Sequence, residues 1–225
     1  PETNETSSGY RESGYMPEAF INMLAFLGWN PGTSQEIFSM KELSQSFSLR
    51  RVGKAGSKFD FDKTKWFNQQ YLRSQSKHDL CKSFQVILKQ NGIQANNEYV
   101  ETVCEQLKER ATFIQDMWEE GRYYFESPSS YDEKTVRKKW KENSSTYLKE
   151  FSNKIERMSE FNSENLENEF KVYLQEKSLG MGQLLPVFRL CLTGLGMGPS
   201  LFDIAELIGK DQTLKRIETA INKIK

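Results

Sequence analysis

Apolar residues recur every three to four positions along most of this chain, which is the spacing of amphipathic helices. In the stretch 97–109, Val100, Val103, Cys104 and Leu107 share one helical face. No stretch convincingly alternates apolar and polar residues as a half-buried strand does. The pattern predicts an all-α protein with helices at about 17–27, 40–47, 61–73, 78–90, 97–109, 112–120, 132–142, 145–158, 163–177, 184–193, 199–208 and from 211 to the end.

Residues that start and stop helices punctuate these segments. Ser39 with Glu42 forms a capping-box pattern, in which each side chain bonds the other's backbone N–H. We expect Asp60, Ser163 and Asp211 to be the N-caps of their helices. Pro17 and Pro199 are expected to lie in the first turn of theirs. Gly28, Gly92 and Gly209 are expected to end helices.

The most heavily punctuated stretch is 184–209, LLPVFRLCLTGLGMGPSLFDIAELIG. Its apolar first half carries one arginine, Arg189, and three glycines at alternate positions follow. Arginine is seldom fully buried unless paired, so Arg189 is expected to face a cleft or a ligand. The glycines follow a helical rather than a strand pattern, which favours a tight elbow over a dinucleotide-binding loop.

Composition narrows the class of protein. The chain has 225 residues, 37% apolar and 28% charged, with a mean hydropathy of −0.69, which is typical of a globular protein. No apolar run reaches the roughly 20 residues that span a bilayer, so we expect no membrane association. The chain begins with Pro1 and a polar stretch, 1–15, expected to be a loop, which suggests a fragment of a longer protein. The break at 121–131 suggests a domain boundary.

The inventory of reactive side chains is small. The three cysteines are far apart in helical, apolar contexts, which favours buried reduced thiols and a reducing compartment, the cytoplasm. One histidine and no C-x-x-C leave no ordinary zinc site and little material for a histidine-based catalytic triad. The residues therefore favour a binding function over catalysis.

The net charge is zero, but the charges are segregated. The segment 41–77 holds nine basic residues against three acidic ones, and 92–133 holds ten acidic against three basic. Residues 134–141 then carry five basic side chains and no acid. Because local patches rather than the sum bind polyanions, a nucleic-acid partner remains open.

Several blocks together resemble bacterial glutamyl-tRNA synthetases. They are YRESGYMPEAFINMLAFLGW at 10–29, FSLRRVGKAGSKFDFDKTKWFNQQY at 47–71, ERATFIQDMWEEGRYYF at 109–125, and RLCLTG with GPSLFDIAELIGK at 189–210. The HIGH-like and KMSKS-like signatures of the family's nucleotide fold are absent from the sequence. The similarity thus covers the helical, tRNA-contacting part of such an enzyme.

The resemblance implies three regions: a stem-contact segment at 1–75 and helical anticodon-binding domains at 76–126 and 127–225. It implies that the longer enzyme is a glutamate–tRNA ligase that uses ATP and Mg²⁺, that this part needs no cofactor or metal of its own, and that its partner is tRNA(Glu). It also implies a cytoplasmic monomer that does not bind DNA. The alternative is a free-standing helical RNA-binding or protein-docking module without ligase activity.

The resemblance also assigns side chains. Arg110 matches the position that recognises the third anticodon base, and Arg189 and Leu201 match positions that contact the first. Lys63, with Arg50, Arg51, Lys54 and Lys58, would lie along the tRNA backbone. The competing interpretations are a solvent-facing helix-end arginine for Arg110, an ordinary core position for Leu201, and a solvated basic loop for the rest.

Overall fold

The computed structural model describes residues 9–54 and 56–224. Within these ranges the regular structure is helical, with twelve α-helices and two short 3-10 turns, and one isolated extended pair joins Trp29 to Val52. The all-α prediction is confirmed. The predicted loop at 1–15 lies partly outside the described residues, and its described end forms a turn at 10–14.

The chain divides into two compact units, Pro1–Glu119 and Glu120–Lys225. The predicted division at 75 falls inside the first unit, and the three-region scheme stays a prediction. The helices that begin in the first unit are α1 (Pro17–Phe26), α2 (Met40–Ser46), α3 (Phe61–Ser74), α4 (Lys77–Gln90), α5 (Asn97–Leu107) and α6 (Ile114–Gly121).

Helix α3 contacts both the start of the first unit and the loop after α5. It packs against α1 through an apolar cluster of Ala19, Met23, Phe67 and Tyr71, while α4 packs against α5. Asn68 of α3 is fully buried, so both ends of its amide need partners. Its Oδ1 accepts a hydrogen bond from the backbone N–H of Met16, just before α1, at 2.8 Å. Its Nδ2 donates to the carbonyl of Thr112 at 2.6 Å. The loop after α5 is thereby fixed to α3.

The second unit contains a 3-10 turn at Arg122–Tyr124 and six helices, α7 (Glu133–Lys139), α8 (Ser144–Arg157), α9 (Ser163–Glu176), α10 (Met181–Thr193), α11 (Leu201–Ile208) and α12 (Lys210–Lys223). Helix α10 is central and packs against α7, α8, α11 and α12. It is apolar around most of its circumference, as buried helices are. Phe188 of α10 contacts Phe151 and Phe170, with ring centroids 5.5 and 5.8 Å away.

A proline inside α10 is compensated by a lysine from α7. Pro186 has no N–H, so it cannot bond the carbonyl of Gly182 four residues earlier. Lys139 Nζ donates to that carbonyl at 3.1 Å instead. This bond also fixes α7 beside the start of α10.

The predicted start and stop residues are confirmed in part. The Ser39–Glu42 capping box forms, Asp60 caps α3, and Gly92 and Gly209 end helices with φ of +75° and +86°. Three predicted starts are wrong by one or two residues. Asn162 rather than Ser163 caps α9, and α11 begins at Leu201, after the Ser200 cap, rather than at Pro199. Gly209 rather than Asp211 occupies the N-cap position of α12. In the first two, a neighbouring side-chain oxygen accepts the N3 backbone N–H that the predicted residue does not.

The cysteines are buried and free, as predicted. Desolvation raises the pKa of Cys104 to about 12 and also raises the pKa of Cys191.

Across the described ranges, no helix is long and apolar enough to cross a membrane. The same residues contain no group of three His, Cys, Asp or Glu side chains that could hold a metal ion.

Candidate nucleic-acid interface

The basic segment lies between α2 and the first turn of α3. Arg50 and Arg51 lie on a 3-10 turn at Leu49–Arg51, and Lys54 and Lys58 follow on an irregular loop. All four are exposed. Within the described chain, Arg50, Lys54 and Lys58 form no ion pair, whereas Arg51 donates from Nη1 to the carbonyl of Pro31. Arg50, Lys54 and Lys58 are therefore available to a ligand, whereas Arg51 stabilises the turn after α1.

Lys63 is held more firmly than the cations of the loop. Its Nζ lies 2.7 Å from Glu36 Oε1 and under 6 Å from the ring centroids of Phe26 and Phe67. Lys58 and Lys63 line one small cavity of about 100 Å³. An ion pair exposed at this level contributes little, about 0.2–1 kcal/mol, so a phosphate could replace Glu36 as the partner of Lys63.

Arg110 lies on the turn between α5 and α6. It is exposed, and within the described residues its guanidinium forms no hydrogen bond or ion pair. The next residue, Ala111, is 1% exposed and anchors the turn in the core. The structure thus presents a free planar donor on an anchored segment, which suits recognition of an unstacked base edge.

The backbone on both sides of Arg110 is satisfied by named partners. The Arg110 N–H donates to the carbonyl of Leu107 at 2.9 Å. On the other side, Asp116 Oδ2 accepts from the N–H groups of Thr112 and Phe113 at 2.9 and 2.8 Å. These bonds cap both helices at the turn, so the segment is ordered although it is exposed.

The elbow after α10 requires glycine because larger residues would not fit. Gly194 has φ of +76°, and a Cβ there would collide with the carbonyl oxygen of Ser130. A Cβ on Gly196 would collide with the Thr135 hydroxyl of α7. The close approach is used: Asp132 N–H donates to the carbonyl of Gly194 at 2.8 Å. The glycines therefore serve packing, as expected for an elbow.

Arg189 points toward the end of this elbow. The residue as a whole is half-buried, and its Nη1 atom is shielded from solvent. A Cβ built on Gly198 would lie 3.0 Å from that nitrogen and 3.7 Å from the Tyr123 hydroxyl oxygen. Gly198 is thus the residue that leaves room for the guanidinium. The contact of Arg189 with a base stays a prediction.

Leu201 is the first residue of α11 and is 2% exposed. It belongs to the apolar core of the second unit, together with Phe170 and Phe188. Little of its side chain is available to a ligand, so its contact with a base also stays a prediction. Arg189 and Leu201 flank the same elbow, at its α10 and α11 ends.

Sequence reasoning missed two arginines that hold these segments. Arg216 of α12 is 3% exposed, and its Nη1 donates at 2.7 Å to the carbonyls of both Leu192 and Tyr123. One signal was available, because Arg216 shares the helical face of the buried Ile217 and Ala220. Arg73, at the end of α3, bonds the carbonyl of Glu109 beside Arg110.

Two family models match the chain. Residues 71–221 match the anticodon binding domain, and residues 2–66 match the catalytic domain of class I tRNA synthetases (E and Q). Arg110, Arg189 and Leu201 fall in the first match, and the basic segment falls in the second.

Curated relatives and a solved structure agree with these matches. Glutamate–tRNA ligases of Phocaeicola vulgatus and Flavobacterium johnsoniae are 46% and 47% identical over 100% and 97% of this chain. A crystal structure of a glutamate tRNA ligase from Elizabethkingia meningosepticum, in complex with its amino acid, superimposes with a TM-score of 0.93 at 40% identity over 99% of this chain and 44% of that one. The chain spans 45% of the Phocaeicola relative and 43% of the Flavobacterium one.

Proposed function

This chain belongs to the anticodon-binding domain family, and from that premise we propose that it binds tRNA(Glu) as the tRNA-recognising part of a glutamate–tRNA ligase. Arg110 recognises the third anticodon base, and Arg189 and Leu201 contact the first. The exposed cations of the basic segment lie along the backbone. In this proposal, ATP and Mg²⁺ serve the nucleotide-binding part of the longer ligase.

The observation that carries this proposal is the state of Arg110. Its guanidinium is exposed and uncommitted, while the turn that bears it is held by the Asn68 amide, the Asp116 carboxylate and the buried Ala111. An arginine that stabilised the protein through a hydrogen bond or an ion pair would have a protein partner. A rigid turn with a free planar donor is the arrangement that base recognition requires, because a preorganised side chain loses little entropy on binding.

The two kinds of contact have different roles. Phosphate contacts from Arg50, Lys54, Lys58 and Lys63 supply affinity and register without sequence information. The base contacts then select among tRNAs. In a complete ligase, holding the anticodon in this way positions the acceptor end over the active site, which is a catalytic contribution made by orientation.

The test is a double-mutant cycle between Arg110 and the third anticodon base. Binding of this chain to transcribed tRNA(Glu) is measured for the wild type and Arg110→Ala, each with the natural transcript and one changed at that base. Either single change should weaken binding by about 1–3 kcal/mol, as loss of a direct base contact does. The double change should cost no more than one of them, because both remove the same contact.

A matched control is Lys89→Ala, which removes an exposed cation of the same unit outside the proposed interface. Its discrimination between the two transcripts should equal that of the wild type. If binding weakens with salt but ignores both the base change and Arg110→Ala, only backbone contacts exist. The alternative of a general RNA-binding module would then be correct.

A further inference from the structure

Arg73 makes two contacts with the residue before Arg110. Its Nε lies 3.3 Å from Glu109 Oε2, and its Nη2 donates to the main-chain carbonyl of Glu109. The contact spans 36 residues of sequence, from the end of α3 to the turn after α5. The Arg73 side chain is 32% exposed and that of Glu109 is 64% exposed, but the Nε atom of Arg73 is itself shielded from solvent.

The carbonyl that Arg73 holds belongs to the peptide group that leads into Arg110. A peptide group is planar, so its oxygen, its N–H and the Cα of the next residue move as one body. The N–H of this group is the one that donates to the carbonyl of Leu107 at 2.9 Å. Both polar atoms of the 109–110 peptide are therefore bonded, which fixes the position of the Arg110 Cα. The next N–H, that of Ala111, also donates to the carbonyl of Leu107, at 3.2 Å. With the peptide groups on both sides of the Cα held, the direction in which Arg110 presents its side chain is fixed.

We propose that Arg73 is a positioning residue for base recognition: it does not contact the RNA but orients the 109–110 peptide so that the Arg110 guanidinium meets the base edge. This inference rests on the proposed function of Arg110. It assigns to Arg73 an effect on affinity that acts through the base contact of Arg110 and therefore on specificity, with no phosphate contact involved. A guanidinium suits the task because its fixed fork reaches the Glu109 carboxylate and carbonyl together, which the single ammonium of lysine does not.

The experiment compares discrimination, the ratio of the affinities for the natural transcript and for the one changed at the third anticodon base. Arg73→Gln should lower this ratio roughly tenfold, less than Arg110→Ala, because misplacing a contact weakens it without deleting it. The salt dependence of binding should not change, since no phosphate contact is removed. In the Arg110→Ala background, Arg73→Gln should have no further effect on the ratio.

The matched control is Lys77→Gln. Lys77 pairs with Glu101 of α5 at 3.5 Å, so its loss also removes one cation and one ion pair to that helix but leaves the turn intact. This variant should discriminate as the wild type does. If Arg73→Gln fails to fold, Arg73→Lys decides the question, because it keeps the charge and the aliphatic stem and removes only the fork.

The outcomes separate this inference from the proposed function. If Arg110→Ala abolishes discrimination while Arg73→Gln, or the lysine variant in its place, retains the full ratio, the positioning role is overturned and the function stands. If Arg110→Ala leaves the ratio intact, base recognition by Arg110 is wrong and the positioning role falls with it. A lowered ratio for Arg73→Gln with unchanged urea unfolding and unchanged salt dependence supports the inference.

Discussion

Arg110 and Arg189 are the two arginines that we assign to base recognition, and the chain holds them in opposite ways. Arg110 is exposed on a turn whose backbone N–H groups bond neighbouring residues. Arg189 is half-buried on the central helix of its unit, with one guanidinium nitrogen enclosed beside Gly198 and Tyr123. The first arginine is separable from the fold, whereas the second is part of the packing of an elbow.

This difference separates two ways of preorganising a recognition side chain. At Arg110 the backbone is fixed and the side chain is left free, so substitution should change RNA binding alone. At Arg189 the surroundings enclose the side chain itself, so substitution should change both binding and stability. Side-chain substitutions that are harmless at an exposed site cost more where packing is lost.

The largest expected effect is that of Arg216→Met, which tests how the elbow is held. It leaves the buried carbonyls of Leu192 and Tyr123 without their charged donor. Hydrogen bonds to charged groups contribute about 1.5–3 kcal/mol each, so the free energy of unfolding should fall by about 3 kcal/mol or more. Urea unfolding followed by circular dichroism measures it, and a loss below about 1 kcal/mol would contradict this account of the elbow.

Next in size is Arg189→Ala, which compares the two arginines directly. We expect a fall of about 1–2 kcal/mol in the free energy of unfolding, against less than about 0.5 kcal/mol for Arg110→Ala, because only Arg189 loses packing. Both variants should weaken tRNA binding. Equal unfolding midpoints for the two variants would show that the enclosure of Arg189 does not stabilise the fold.

A smaller effect is expected from Gly198→Ala, which crowds Arg189 without removing it. The added Cβ would lie 3.0 Å from Nη1, so the guanidinium must shift by a few tenths of an ångström. Discrimination at the first anticodon base should fall by about 1 kcal/mol or less, with little change in stability. Gly182→Ala in α10 is the control, because its Cβ would meet nothing within 4 Å. If Gly198→Ala leaves discrimination as unchanged as Gly182→Ala does, Arg189 does not contact that base.

The smallest effect concerns the basic loop of the first unit. Replacing Lys54 and Lys58 together by alanine should reduce the slope of log affinity against log salt by about 1.5, since each phosphate contact contributes about 0.7–0.9. Lys63→Ala should reduce it by less, because Lys63 already pairs with Glu36. A slope that is unaffected by the double change would place the phosphate contacts elsewhere.

Sequence patterns were sufficient for the helices because their signals are local. The Ser39–Glu42 capping box and the Asp60 cap depend on residues two to three positions apart. The wrong starts at Pro199 and Asp211 have different causes. At α11 the hydroxyl of Ser200, next to Pro199, accepts the N3 backbone N–H and caps the helix. At α12 Gly209, with φ of +86°, both ends α11 and occupies the N-cap position two residues before Asp211.

The candidate site was predictable only as single residues. Arg110 and Arg189 could be named from their neighbours and from the family resemblance. Their supports could not, because Arg216 bonds residues 24 and 93 positions away, and Arg73 bonds one 36 positions away. Such pairs depend on how helices pack, and no spacing along the chain encodes them.

The most direct measurement of the central claim is a footprint of this chain on transcribed tRNA(Glu). Base-specific chemical probes would be applied to the tRNA with and without the protein, at a salt concentration where binding is saturated. The account predicts protection of the first and third anticodon bases, with protection of the third base lost in Arg110→Ala. Protection confined to the backbone of the tRNA, with both anticodon bases as reactive as in free tRNA, would contradict it.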